Sequence, residues 1–377
     1  MVEPVRRVVG GVDTHKDVHV AAAVDDVGRV LGTAMFPSTL RGHQELLGWL
    51  EDFGEVVRVG VEGTGAYGAG LARYLAKAGM EVVEVDRPNR QTRRRKGKSD
   101  PVDAEAAARA ALSGEASGRP KSRTGSVEMI RVLRVARRSA RKARTQAANQ
   151  IHNLLATAPD ELREPLRTLT LAELVERAAR WRPGRLNTPV AATKLAISVL
   201  ARRYQALGEE MDQLTGELDR LVAKTAAPLL ERKGIGTDTT AALLVAAGDN
   251  PGRLKNEASF AALCGVSPVD ASSGKHQRHR LNRAGDRQAN EALWRIVTVR
   301  IRCDPRTRDY IARRRKEGKT TKEAIRCLKR YVAREIYREL VVILDGANQP
   351  APPPIAKRST GSSTRLPCLV SAPGTRP

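Results

Sequence analysis

The sequence predicts a mixed-sheet α/β domain, then a long helical middle, then a mainly helical and basic C-terminal unit. Three observations carry this. Short β-branched runs alternate with helix-period segments over residues 6–120, heptad-spaced apolar residues fill 126–225, and a basic helical pattern occupies 229–345. The 377 residues suit two or three domains of about 100–200 residues each. With 41% hydrophobic and 29% charged residues, a mostly disordered chain is excluded.

The first strand is the apolar run Val8 to Asp13, which ends in a carboxylate. Val18–Val24 and Val30–Phe36 flank the turn-rich Asp25-Asp26-Val27-Gly28 and read as antiparallel hairpin strands. A helix around Leu46, Leu47 and Leu50 leads to a β-branched strand, Val56 to Val61, ending at Glu62. A small-residue helix from Tyr67 to Ala78 precedes a strand over Val82–Val85. Then Arg87, Arg90, Arg93, Arg94, Arg95, Lys96 and Lys98, interrupted by Pro88 and Gly97, form a basic loop. Pro101 sits where a first helical turn tolerates it, and Val102 to Leu112 is Ala-rich and helical. The order βββ-α-β-α-β-α pairs an antiparallel opening with a parallel continuation, so the first and fourth strands can lie side by side.

Two long helices are expected next. Met129, Leu133, Ala136, Ala140, Ala143, Ala147 and Leu154 follow steps of four and three, while Arg131, Arg134, Arg137, Arg138, Arg141, Lys142 and Arg144 face outward. Ile197, Leu200, Tyr204, Leu207, Met211, Leu214, Leu218 and Leu221 keep a heptad spacing throughout, which predicts a coiled coil. Pro183 and Gly184 mark the turn between them. The pattern leaves open whether the helices pair within a chain or between chains, and the length of the seam favours self-association. Lys233-Gly-Ile-Gly236 before a helix resembles half of a helix-hairpin-helix element, with a plain connector as the alternative. The Pro-rich tail, 348–377, reads as disordered.

Charge narrows the partner. With 66 Lys+Arg against 42 Asp+Glu, the net charge of +24 asks for a polyanion. No apolar run approaches the roughly 20 residues of a membrane span, so nucleic acid leads. The N-terminus lacks a signal-peptide core, and Cys264, Cys303, Cys327 and Cys368 form no CxxC pair. A cytoplasmic, nucleoid-associated protein without a zinc site or disulfide framework is expected.

The candidate chemistry lies in the acids. Asp13 and Glu62 end strands that can be neighbours, and Asp100 and Asp103 share a face at the start of the last helix of that domain. Four convergent carboxylates repel one another unless cations neutralise them, and two Mg²⁺ ions about 4 Å apart are the usual solution. Mn²⁺ is the other candidate, and Zn²⁺ does not suit such hard ligands. Taken singly, each acid has a plainer role: Asp13 a turn residue, Glu62 a solvated charge, Asp100 an N-cap. His15 and His19 lie near Asp13 but read as surface residues and are left outside the site. Farther on, Ser272 and Ser273 precede Gly274 and the cations Lys275, Arg278 and Arg280. A serine there can attack a phosphodiester if nearby charge assists it; a flexible loop touching phosphates is the alternative.

Val-Gly-Gly-Val-Asp-Thr-His-Lys-Asp at the start, Val-Glu-Gly-Thr-Gly at 61–65 and Lys98-Ser-Asp-Pro-Val-Asp-Ala104 resemble the N-terminal domain of the insertion-sequence 110 family of transposases. The resemblance implies an RNase H-like (RuvC-like) fold with an Asp-Glu-Asp-Asp metal site at Asp13, Glu62, Asp100 and Asp103. Ala271-Ser-Ser-Gly274 and Leu281-Asn-Arg-Ala-Gly-Asp286 resemble the second domain of the same family, where a serine becomes linked to the DNA 5′ phosphate. That role falls to Ser273, with Ser272 as fallback. The family further implies donor and target DNA as substrates, dimers assembling to tetramers, and a structured bridge RNA. Arg90, Arg93, Arg94, Arg95, Lys96, Lys98, Arg137, Arg138, Arg141, Lys275, Arg278 and Arg280 are the expected nucleic-acid contacts. With 3% aromatic residues there are few stacking platforms, so the RNA is expected to be held through duplex regions. A metal-only RuvC-like nuclease, a site-specific invertase and a non-catalytic binding protein are the alternatives.

Overall fold

Five strands form one mixed sheet in the order β3-β2-β1-β4-β5, with β1 (Arg7–Thr14), β2 (Val18–Asp25), β3 (Val30–Pro37), β4 (Glu55–Glu62) and β5 (Val82–Val85). β1 is antiparallel to β2 and parallel to β4, so the expected neighbours do lie side by side. The structure, a computed structural model, describes residues 6–85, 99–182, 184–250, 252–274 and 279–347.

The two faces of the sheet are filled differently. On one, α1 (Leu40–Glu51) and α2 (Ala69–Lys77) bury Leu46, Leu50, Leu71 and Leu75 against Val8, Val12, Val59 and Val61. On the other lies α3 (Asp100–Leu112), whose Ala107, Ala108 and Ala111 meet Val9, Val24, Val83 and Val85. Alanines and glycines let this helix sit almost on the sheet backbone. A Cβ on Gly11 would fall 2.1 Å from the Ala108 amide nitrogen and 2.3 Å from the Ala104 oxygen, and one on Gly60 2.7 Å from the Ala107 oxygen. No side chain fits in either place.

The middle is built on α4 (Ser126–Ala156) and α7 (Pro189–Leu230), which run antiparallel within one chain. Arg137 Nε donates to Thr215 Oγ1 at 2.8 Å, and seven residues farther along the helix the Arg144 guanidinium stacks 4.1 Å from the Tyr204 ring centroid. Between them the structure corrects the expected single turn at 183–184; Pro183 itself lies outside the described residues. The connection instead holds α5 (Asp160–Arg163), a 3-10 turn (Glu164–Leu166) and α6 (Leu171–Ala179). These cap the helix pair with a small core of Ile151, Leu155, Leu166, Leu174, Ile197 and Ala201. The start of α6 is a capping box: the Thr170 amide donates to Glu173 Oε2 at 2.8 Å, and Thr170 Oγ1 accepts from the Glu173 amide at 3.4 Å. α7 bends at Ala226, two residues before Pro228, because proline has no N–H and crowds the preceding turn.

The C-terminal unit comprises α8 (Thr237–Ala247), α9 (Glu257–Leu263), the two-stranded β6 (Val269–Asp270) and β7 (His279–Arg280), α10 (Arg287–Cys303), α11 (Pro305–Lys316) and α12 (Thr321–Ala347). Leu243, Phe260, Leu293, Ile296, Ile336 and Leu340 are its buried centre, joined by Ile130 of α4 and Leu229 of α7. Both ends of the long-helix pair are therefore anchored in compact cores. Among the described residues no helix is long and apolar enough to cross a membrane.

A strap over residues 115–125 links the sheet to the C-terminal unit. The Glu84 amide donates to the Gly118 oxygen at 2.7 Å on the sheet side. On the helical side, Asp249 accepts from Ser122 Oγ at 2.7 Å, the Arg123 amide at 3.1 Å and the Gly125 amide at 2.7 Å. Arg253 Nε adds a bond to the Arg119 oxygen at 3.0 Å.

Candidate active site

The carboxylates meet because of how α3 packs. Gly11 and Gly60 lie directly under this helix, and Asp13 and Glu62 stand two residues farther along the same strands. With a two-residue side-chain period, both acids face the side that α3 covers. The parallel register that pairs Val12 with Val61 carries Asp13 beside Glu62, and Thr14 Oγ1 donates to the Glu62 backbone oxygen at 2.8 Å. The first turn of α3 then supplies Asp100 and Asp103. Its positive dipole end favours both acids there. Ser99, rather than Asp100, is the N-cap residue.

Asp13 is 8% exposed and Asp103 2% exposed, so two charges sit where water is scarce. Burial raises the Asp13 pKa above its ordinary value of 3.8; His15 lowers it, and Asp103 and Asp100 push it up again. A divalent cation relieves this combination of burial and mutual repulsion, and carboxylate oxygens are the donors that such hard ions take. Asp13 and Asp100, with Asp103 and Glu62 nearby, therefore make a candidate acidic site for a divalent metal.

Of the two histidines read as surface residues, His15 is exposed but touches the acids, whereas His19 is buried. His15 Nε2 lies 3.2 Å from Asp13 Oδ2 and 3.5 Å from Asp100 Oδ2, and Asp13, His15 and Asp100 can offer ligand atoms within 4.8 Å of one another. It belongs to the cluster. Only the tight turn after β1, closed by the His15 amide on the Val18 oxygen at 3.1 Å, brings it back over the site. His19 is fully buried rather than at the surface. Its ring stacks on His43 at 5.5 Å between centroids, and burial, with help from His43 and His15, pushes its pKa down to about 4.

At the other end of the chain, β6 and β7 pair Val269 with Arg280 and Asp270 with His279, and the serines sit on the loop between them. Ser272 is committed to Asp270, whose Oδ1 accepts from its amide at 2.9 Å and from its hydroxyl. Ser273, next to Gly274, is exposed, as is Arg280. Lys275 and Arg278 lie outside the described residues, as do Arg90, Arg93, Arg94, Arg95, Lys96 and Lys98 and the tail 348–377.

The middle-helix arginines divide. Arg138 and Arg141 are exposed on α4. Arg137 instead points into the protein, where Nη1 contacts Asp238 Oδ1 at 2.6 Å, so it ties α4 to α7 and α8 rather than standing free for nucleic acid. The Gly-rich turn before α8 has Gly236 at the N-cap, and the Lys233 oxygen accepts from Arg300 Nε at 2.8 Å.

An α/β domain with carboxylates gathered at the carboxyl ends of two adjacent parallel strands, under a helix N-terminus, is a metal-dependent type of site. Comparison with known proteins gives the particular family. Residues 10–158 match a family model described as Transposase, the DEDD domain of IS110 elements, and residues 226–312 match one described as Transposase IS116/IS110/IS902 family. Together they take in more than half of the chain, which belongs to the IS110 family of transposases. The first match implies a RuvC-like fold for the sheet domain and the use of divalent metal. An uncharacterized 43.6 kDa protein of insertion element IS110 from Streptomyces coelicolor is 31% identical over 35% of this chain and 33% of its own length. An uncharacterized 42 kDa protein of insertion element IS900 from Mycobacterium paratuberculosis is 27% identical over 42% of this chain and 41% of its own. The similarity thus spans less than half of either relative.

Proposed function

We propose that this protein cuts and rejoins DNA as the transposase of an insertion sequence. The observation that carries the reading is the acidic group at the start of α3, where Asp13, next to Glu62 by strand register, lies close to Asp100 and Asp103. Mg²⁺ or Mn²⁺ held there supplies the positive charge that offsets a phosphodiester's developing negative charge. Asp13 and Asp103 would be the buried members of the donor set, and Glu62 and the more exposed Asp100 would complete it.

Ser273 is the nucleophile. Its Oγ bonds to the scissile phosphorus, the bond to the 3′ oxygen breaks, and the hydroxyl proton is delivered overall to that oxygen. The product is a 5′-phosphoserine and a free 3′ hydroxyl. Attack by the 3′ hydroxyl of another strand reverses the step and returns the serine, so rejoining needs no external energy source. Ser273 is preferred to Ser272 because it is the serine next to Gly274. A structured bridge RNA pairing with donor and target, and a dimer that assembles to a tetramer, complete the proposal. Under that arrangement base pairing reads sequence, and exposed cations such as Arg138 and Arg141 grip backbones.

The test is a reaction of purified protein with Mg²⁺, the noncoding flank RNA and end-labelled donor DNA on a denaturing gel. A protease-sensitive band of protein-linked DNA is expected, absent in Ser273→Ala. Free nicked product that persists in Ser273→Ala would make water the nucleophile and sink the serine assignment.

A further inference from the structure

Next to the serine hairpin a groove of about 780 Å³ opens between the turn into α10 and one face of α12. Arg280 on β7, with Arg283 and Arg287 beyond it, forms one wall, and all three are exposed. The other wall is α12, where Arg326, Lys329 and Arg334 fall on one helix face. No carboxylate is among the described residues that line the groove. The nearby acids are turned to other work. Glu257 pairs with Arg330 and Arg334 from behind, and Asp286 caps α10 by accepting from the Gln288 and Ala289 amides at 2.8 and 3.0 Å. Gathering this much positive charge is unfavourable for the empty protein. Burial, and then Arg326, already lower the pKa of Lys329.

The floor adds a different chemistry. Tyr331 is 53% exposed, as is Leu281. The tyrosine ring is braced by Tyr310, with centroids 5.8 Å apart and planes at 76°, and the Arg334 guanidinium lies over it 6.0 Å from its centroid, so its orientation is set before any base arrives. Cations that follow a backbone, together with an aromatic face for a base, are the two parts of a single-strand binding site. A base held in a duplex cannot offer its face to Tyr331. We propose that the groove holds unpaired nucleotides of the DNA strand next to the phosphate presented to Ser273, with Tyr331 stacked on a base. DNA is favoured over RNA because the groove starts at Arg280, which pairs across the hairpin with Val269, on the loop of the reacting serine. This inference rests on the strand-transfer reading above.

The test uses full-length Ser273→Ala protein, which can bind without reacting, and a short oligo(dT) carrying one 2-aminopurine. Stacking on Tyr331 is expected to quench the fluorescence. Tyr331→Ala should remove the quench and weaken binding about tenfold, the effect of losing one stacked base. Tyr331→Phe should retain both, and Arg283→Gln or Arg287→Gln should flatten the salt dependence of binding. Unchanged quench and affinity in a folded Tyr331→Ala protein would overturn the proposal. Duplex DNA competing as well as oligo(dT) would overturn the unpaired strand, and an effect confined to oligo(U) would overturn DNA as the occupant. The gel assay separates this from the reading it rests on. A lost protein–DNA linkage with the quench intact would sink strand transfer alone, whereas an intact linkage with no quench would sink the groove alone.

Discussion

The acidic cluster and the serine hairpin are built in opposite ways. Asp13 and Glu62 close strands of eight residues each, two positions beyond glycines pinned under α3, so backbone packing sets where they stand. Ser273 lies on an exposed loop between strands of two residues each. Burial makes the first region expensive to ionise and rigid; exposure leaves the second accessible to a large substrate. The proposed reaction, which needs fixed charge and a nucleophile able to reach a DNA strand, would be served by that division.

The largest expected effects come from the charged groups themselves. Asp13→Asn, Glu62→Gln or Asp103→Asn should take DNA cleavage to background while urea unfolding shifts by no more than about 1 kcal/mol, because removing one acid from a repelling cluster does not unfold a domain. Wild-type cleavage with Mg²⁺ in any of them would remove that residue from the metal site. Gly11→Ala attacks the packing instead of the chemistry. Its Cβ would strike the α3 backbone, so stability should fall by about 3 kcal/mol and Mn²⁺ binding should weaken with it. Retained stability would mean that close packing does not position the acids.

Asp249 tests how firmly the two regions are held together. Burial works to raise its pKa, but bonds from Ser122 and the Gly125 amide prevail and hold it below 3.8. A depressed carboxyl stabilises the fold above its unfolded pKa and loses that contribution as pH falls through the folded value. Asp249→Ala should therefore cost about 2 kcal/mol at neutral pH and nothing at the acid end, read by urea unfolding across pH. His15→Gln should weaken Mn²⁺ binding about tenfold, measured by calorimetry, and unchanged affinity would place His15 outside the donor set. The smallest effects separate the arginines. Arg138→Ala and Arg141→Ala should each lower the salt slope of DNA binding by about 1. Arg137→Ala should leave the slope alone and cost about 1 kcal/mol of stability through its lost contact with Asp238.

Much of the sheet domain was legible in the amino-acid order. β-branched runs that stop at Asp13 and Glu62, and an Ala-rich helix opening with Asp100 and Asp103, carry both the elements and the acids in short-range patterns. The α6 helix was missed although Thr170 and Glu173 spell a capping box, because nine residues offer too little periodicity beside two long helices. The heptads likewise announced long helices without showing that they pair within one chain.

What the sequence by itself determined, then, is the strand and helix order, the acids that end those elements, and a charge that demands a polyanion. Tertiary structure alone decided that His15 folds back onto Asp13 and Asp100, that His19 is buried on His43, and that Arg137 is used up on Asp238. It also decided that seven arginine and lysine positions line a groove with a braced tyrosine in its floor. The physical reason is range. Periodicity and capping act over a few residues and are written locally, whereas the fate of a charged side chain depends on which distant element packs against it, and here those partners lie up to a hundred residues away.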